Sequence, residues 1–162
     1  MPDGSSGDMP RNTRRKFLAA GIPALAVGVP AAAAAQAPAA QPQGRRFFRP
    51  ATGNPPPPYS PEVAYGNLVF ISGKGVGTGF QGDITAQVTK TIDNVEESLK
   101  AAGSSMTKVL KVNVYLADIR HFDAMNAVYR ARFGPEFPTR TTVGGVYLPD
   151  GGLVEIDCVA YI

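Results

Sequence analysis

Leu153-Val154-Glu155-Ile156-Asp157-Cys158-Val159-Ala160-Tyr161 alternates as a strand does when it lies between two different surroundings. Successive side chains on a strand point to opposite faces, so Val154, Ile156, Cys158 and Ala160 share one face. Leu153, Glu155, Asp157, Val159 and Tyr161 share the other. The first set is apolar throughout and is expected to face a layer of helices. The second mixes apolar side chains with two carboxylates. In water, Leu153, Val159 and Tyr161 would form an exposed apolar patch. A homo-oligomer built sheet against sheet would bury it. Carboxylates enclosed there would need hydrogen-bond donors.

The residues before this strand supply the rest of the fold. Pro149-Asp150-Gly151-Gly152 reads as a turn, and residues 140–146 as a strand with β-branched side chains. Phe122, Met125, Tyr129 and Phe133 recur at spacings of 3, 4 and 4, one face of a helix opened at Asp118 or His121 and ended by Pro135 and Pro138. Val112, Val114 and Leu116 alternate along a strand over 109–116. Ile84, Val88, Ile92, Val95 and Leu99 follow spacings of 4, 4, 3 and 4. They predict a first helix with Asp83 as its N-cap and Gly103 as its stop. Asn67-Leu68-Val69-Phe70-Ile71-Ser72, between Gly66 and Gly73, reads as a buried strand. The glycines at 73, 75, 77, 79 and 82 then mark a loop. Strand, helix, strand, helix, strand, turn and strand make an α+β sandwich, one mixed sheet with both helices on one face.

Composition narrows the chemistry. The chain has 162 residues with one Cys and one His, which exclude a zinc finger, an iron–sulfur cluster, an internal disulfide and a His-rich metal site. Neither a GxGxxG after a strand, a P-loop nor a CxxC is present, so no metal and no cofactor is expected. Of the net charge of +3, residues 1–35 carry +2 through Arg11, Arg14, Arg15 and Lys16 against Asp3 and Asp8. The near-neutral remainder lacks the basic surface that a nucleic-acid partner requires.

Thr13-Arg14-Arg15-Lys16-Phe17-Leu18 precedes an uncharged run that ends in Ala33-Ala34-Ala35. This pattern predicts a cleaved twin-arginine-type signal peptide over 1–35, with a periplasmic or secreted location and only transient membrane contact. The competing possibility is a retained anchor, but Gly21, Pro23, Gly28 and Pro30 interrupt the apolar segment. Residues 36–57, rich in Ala, Pro and Gln, read as an extended linker, and the cluster Arg45, Arg46 and Arg49 as part of its solvated surface. The folded body is expected from 58 to 162.

The body contains, in order, Pro58-Tyr59-Ser60, Gly66-Asn67-Leu68-Val69-Phe70-Ile71-Ser72-Gly73 and Asp93-Asn94-Val95. Lys111-Val112-Asn113-Val114-Tyr115-Leu116-Ala117-Asp118 and Phe122-Asp123-Ala124-Met125-Asn126-Ala127-Val128-Tyr129 follow. Pro138-Thr139-Arg140-Thr141-Thr142-Val143 and Leu153-Val154-Glu155-Ile156-Asp157-Cys158-Val159-Ala160 complete the series. This succession resembles the RidA/YjgF family, whose members hydrolyse reactive enamine and imine intermediates of amino acids. The resemblance implies a chorismate-mutase-like fold that trimerises through the free sheet face, with sites in clefts between subunits. It implies Arg140 as the clamp on the substrate carboxylate and Glu155 as the group that orients water. Tyr59, Ser72, Gly73, Asn126 and Thr142 match pocket-lining positions. The implied partner is a small imino or enamino acid, and the implied products are a 2-oxo acid and ammonia.

The chemistry suits these residue types. A guanidinium grips a carboxylate through two parallel hydrogen bonds, and a carboxylate can position water and relay its proton. The plain alternatives are a surface ion pair for Arg140 and a structural partner to a neighbouring base for Glu155. A different function for the same clefts is a non-catalytic trimer that binds small carboxylates. His121 and Cys158 read as structural. Two departures stand out where the family commonly has Ser-Gly-Gln and a Glu-Val pair: here Ser72-Gly73-Lys74 and Gly144-Gly145 occur. Lys74 reads as a solvated loop lysine; turned inward, it would add a second anion contact or form a Schiff base.

Overall fold

The computed structural model of the chain describes residues 44–49 and 52–162. The expected signal peptide over 1–35 and the first part of the expected linker lie outside the described residues.

Two helices cover one face of a six-stranded sheet. Strands β1 (Arg46–Phe47), β2 (Glu62–Tyr65), β3 (Leu68–Lys74), β4 (Val109–Leu116), β5 (Thr139–Gly144) and β6 (Val154–Tyr161) are ordered β1-β2-β3-β6-β4-β5. Only β4 and β5 run parallel to each other; every other neighbouring pair is antiparallel, so the sheet is mixed as expected. Helices α1 (Ile84–Ala101) and α2 (Phe122–Phe133) pack on each other, and α1 packs on β3 and β6.

The core lies between helices and sheet. Val88, Ile92, Val95 and Leu99 of α1 meet Met125, Tyr129 and Phe133 of α2, with Val112, Val114, Leu116, Val154, Ile156, Cys158 and Ala160 beneath them. Each large apolar side chain buried there stabilises the fold by roughly 1.5–3 kcal/mol. The capping signals of α1 operate as its sequence predicts. The Asp83 carboxylate accepts from the Ala86 amide at 2.9 Å. At the other end, Ser104 N donates to Leu99 O at 2.8 Å and Gly103 N to Lys100 O at 3.0 Å, a Schellman closure. Arg132 of α2 donates to Asp93 at 2.7 Å and to Glu96 at 2.9 Å, tying the helices together.

The folded body starts upstream of the position expected from sequence. Arg46 and Phe47, expected in a solvated linker, pair with Ala64 and Val63 of β2. Arg49 reaches across to the fully buried Glu62, donating through Nε to both carboxylate oxygens at 3.1 and 3.2 Å and again through Nη2. The same guanidinium donates to Ser98 Oγ at 2.9 Å and to Glu97 at 3.1 Å. A carboxylate enclosed in a core must be paired, and this one takes its partner from the stretch read as linker.

The second face of the sheet carries Phe70, Val159, Glu155, Asp157 and Tyr161, and no described element covers it. The donors that its carboxylates were expected to need come, for Asp157, from the chain itself. Asn113 Nδ2 donates to Asp157 at 2.8 Å and Tyr115 OH at 3.2 Å. Among the described residues, no helix is long and apolar enough to cross a membrane.

Candidate active site

The residues carried over from the resemblance fall into two groups. The first gathers where β3 leaves the sheet beside the start of β6. Tyr59, Ser72, Gly73, Lys74, Asp150 and Glu155 are among those that line a cavity of about 480 Å³. Glu155 lies directly over Gly73, where a Cβ would collide with its Oε1. Only glycine leaves room for the carboxylate in this place. Glu155 is half-buried and has no hydrogen-bond partner among the described residues. The glycine-rich loop that forms the cavity rim is fixed from behind, because Asn94 Nδ2 of α1 donates to Gly75 O at 2.8 Å. Asp150, on the opposite rim, adopts the left-handed conformation at φ 56°, which aspartate tolerates better than most residues.

The second group gathers at the far edge strand. Arg140 of β5 lays its guanidinium 4.5 Å from the ring centroid of Tyr129 and 5.7 Å from that of Phe122. Its Nη1 lies 3.8 Å from Met125 Sδ. Arg140, Asn126, Tyr129, Arg130, Phe137 and Pro138 line a cavity of about 300 Å³. The alternative of a surface ion pair does not hold, since Arg140 has no carboxylate partner among the described residues. Cation–π contact orients the guanidinium and leaves its N–H groups available to a ligand. The Tyr129 hydroxyl is buried without a partner, and burial pushes it up to about 12 against the pull of the Arg140 charge.

The two groups cannot meet within one chain. Arg140 lies beside Val112 in the β4–β5 register, and Val112 is buried under the helices. Glu155 lies opposite Tyr115, whose side chain is on the open face with Asp157. The guanidinium therefore belongs to the helix side of the sheet and the carboxylate to the other side. With β4 between their strands and three residues of offset along it, their Cα atoms are roughly 14 Å apart.

Thr142 joins neither cavity. It points to the helix side beside Val114, with its hydroxyl buried and unpartnered. The Gly144-Gly145 departure has a local packing cause: a Cβ at 144 would lie 2.6 Å from Cβ of Ile119, in the turn before α2. Lys74 differs from its expected place. It is a residue of β3 with a side chain only 16% exposed, not a solvated loop lysine. From sequence Gly73 reads as a loop residue that ends the strand, whereas β3 crosses an irregular step and pairs Lys74 with Ile156. Cys158 is buried, and burial pushes its thiol up to about 12, which suits a small hydrophobe. Tyr129 was legible only as a core position, because nothing in its own helix signals the arginine laid over it from β5.

Among the described residues no cluster of His, Cys, Asp and Glu is fit to hold a metal ion. What the two groups can offer is a carboxylate-binding guanidinium in one cavity and a water-orienting carboxylate in the other.

Residues 51–162 match the family described as endoribonuclease L-PSP. Among relatives, the mitochondrial protein mmf2 of Schizosaccharomyces pombe is 42% identical over 109 residues, 64% of this chain and 86% of its own. The 2-iminobutanoate/2-iminopropanoate deaminase of Capra hircus is 38% identical over 108 residues, 64% of this chain and 79% of its own. The crystal structure of RidA from the Antarctic bacterium Psychrobacter sp. PAMC 21119 superposes with a TM-score of 0.64 at 34% identity, covering 71% of this chain and 94% of that one. The expected periplasmic or secreted location is overturned by these relatives, among which mmf2 is named as a mitochondrial protein. With the family match spanning both helices and strands β2 to β6, the chain belongs to the endoribonuclease L-PSP family, the one its sequence resembles under the name RidA/YjgF.

Proposed function

We propose that the protein hydrolyses enamine and imine intermediates of amino acids to 2-oxo acids and ammonia, in clefts between copies of the chain. The observation that carries this reading is the pair of uncommitted charged groups. Arg140 lacks a carboxylate partner and Glu155 lacks a donor among the described residues, and each lines a cavity on its own side of the sheet. Two copies, set with the β5 edge of one against the Glu155 cavity of the next, would complete one site. A homotrimer closes such a head-to-tail contact by rotation. Charge favours the contact, because Arg130 and Arg140 line one cavity while two carboxylates, Glu155 and Asp150, against one lysine, Lys74, line the other. The goat relative, named for deaminating 2-iminobutanoate and 2-iminopropanoate, adds support.

In this site Arg140 grips the substrate carboxylate through two parallel hydrogen bonds and thereby sets the orientation of C2. Ser72, Tyr59 and Asn126 surround the remaining substrate atoms. Glu155 holds a water against C2 and takes its proton as the oxygen–carbon bond forms, giving a carbinolamine. The same carboxyl returns the proton to the nitrogen. With the imine entering in its protonated form, that transfer makes the amine an ammonium. The carbinolamine hydroxyl then gives its proton to the freed Glu155 carboxylate as C=O forms, the C–N bond breaks, ammonia leaves, and the 2-oxo acid remains. An enamine enters the sequence after protonation at C3 converts it to the imine. Thr142 has no part in these steps.

The test is ammonia release from freshly generated 2-imino acids. Activity above buffer, abolished in Arg140→Ala and slowed about 100-fold or more in Glu155→Gln, is the expected result. Binding of 2-oxo acids with no rate above buffer would replace the enzyme with a carboxylate-binding protein.

A further inference from the structure

Arg140 shares its cavity with a second guanidinium. Arg130 lines the same space of about 300 Å³, one helical turn beyond Asn126 on α2. Neither arginine has a carboxylate partner among the described residues. The next arginine along α2 behaves otherwise, because Arg132 is committed to Asp93 and Glu96 of α1. Among the described residues no acid lines this cavity; Asn126, Tyr129, Phe137 and Pro138 complete it. A single substrate carboxylate on Arg140 would leave the Arg130 charge without an answering anion. The apolar part of the lining suits what would join two anionic groups. Phe137 turns back onto α2, its ring stacked on that of Tyr129 with centroids 6.4 Å apart. Phe137 and Pro138 thereby furnish an apolar wall in the connection from α2, which carries Arg130, to β5, which carries Arg140. Methylene groups can rest on such a wall while a guanidinium binds each end. A cavity of this volume, at the small end for ligand sites, suits a short chain.

We infer that the protein prefers short dicarboxylic 2-imino acids, with Arg130 holding the side-chain carboxylate while Arg140 holds the one at C1. The inference rests on the reading of this cavity as part of the imine-hydrolysis site, and it names the substrate class of that site. Arg130 is a specificity-determining residue here: it binds the end remote from C2 and makes or breaks no bond. A substrate whose side chain ends in a methyl group leaves this guanidinium unmatched, so discrimination comes from the missing charge-assisted hydrogen bonds. The competing anion for Arg130 is Asp150 of the next copy, which the proposed contact between copies would bring to the same cleft.

The experiment supplies the full-length protein with 2-iminosuccinate, 2-iminoglutarate and 2-iminopropanoate, generated in place by amino-acid oxidases from aspartate, glutamate and alanine. Ammonia release gives kcat/KM for each. At least one dicarboxylic acid should exceed 2-iminopropanoate by about tenfold or more. That ratio should fall about tenfold in Arg130→Gln and be partly kept in Arg130→Lys. Arg130 is exposed and outside the core, and the ratio in the unaltered protein is decisive even if a variant fails to fold. Equal or weaker use of both dicarboxylic acids, or a ratio unchanged in Arg130→Gln, overturns the inference. So does an Arg130→Gln protein that falls apart into smaller oligomers and loses all three substrates alike, which would make Arg130 a contact between copies. Calorimetric binding of 2-oxoglutarate against 2-oxobutanoate is measured on the same proteins. If none of the imino acids is hydrolysed, the deaminase reading fails and this binding preference, with its loss in Arg130→Gln, decides the inference alone.

Discussion

Glu155 occupies the space that a side chain at position 73 would need. The obstruction is the mobile end of a side chain rather than backbone, so alanine at 73 fits if the carboxylate swings away. Gly73→Ala should therefore change stability by less than about 1 kcal/mol and lower the imine-hydrolysis rate about 100-fold by displacing the water-holding group. Thermal unfolding and steady-state kinetics check the two halves, and KM should move little because Arg140 is untouched. The outward turn of Glu155 was legible, since Val154 and Ile156 on either side are apolar. That of Arg140 was not. Thr139-Arg140-Thr141-Thr142-Val143-Gly144 has no hydrophobic alternation, and every one of its residues is half-buried or exposed. The proposal that it clamps a carboxylate comes from resemblance, and its side of the sheet only from the register with β4.

The helices and strands β3, β4 and β6 follow from periodicity, because each buries one consistent face over many residues, whereas β5 is signalled only by its β-branched residues. β2 is too short for that and places Glu62 where an apolar residue is expected. The missed signal is Gly66-Asn67, a two-residue hairpin connection between β2 and β3. β1 carries no signal of its own: two residues long, it is held by β2 and by Arg49. Arg49→Ala would leave Glu62 buried with only the Ser98 hydroxyl and Lys74 beside it, at a cost of roughly 3 kcal/mol. Acid should act through the same pair. Burial raises the Glu62 carboxyl, but the Arg49 and Ser98 hydrogen bonds and the charges of Arg49 and Lys74 outweigh it and hold it below its ordinary 4.5. The contribution is thus complete above pH 4.5 and is lost as pH falls through the lower folded value. Denaturant unfolding as a function of pH should show this loss, smaller in Arg49→Ala because the folded carboxyl then lies closer to or above its unfolded value. A loss of the same size in both proteins would mean that Arg49 does not govern the carboxylate.

In the whole molecule, the open sheet face and the divided site ask for the same thing. Phe70 is 46% exposed and Tyr161 39% exposed beside Val159, an apolar surface that association would cover. The guanidinium and the carboxylate, on opposite faces, need two copies of the chain to meet. The mixed open face was readable from the alternation in β6; the placement of Arg140 and Glu155 on opposite faces was not, because it depends on the parallel register of β4 and β5. Equal co-expression of Arg140→Ala and Glu155→Gln chains tests it. Each variant alone should be nearly inactive. In randomly mixed oligomers, about one quarter of the shared sites would draw an intact Arg140 from one copy and an intact Glu155 from the next. The account predicts recovery of about that fraction of the wild-type imine-hydrolysis rate; a mixture no more active than the sum of its two components would contradict it.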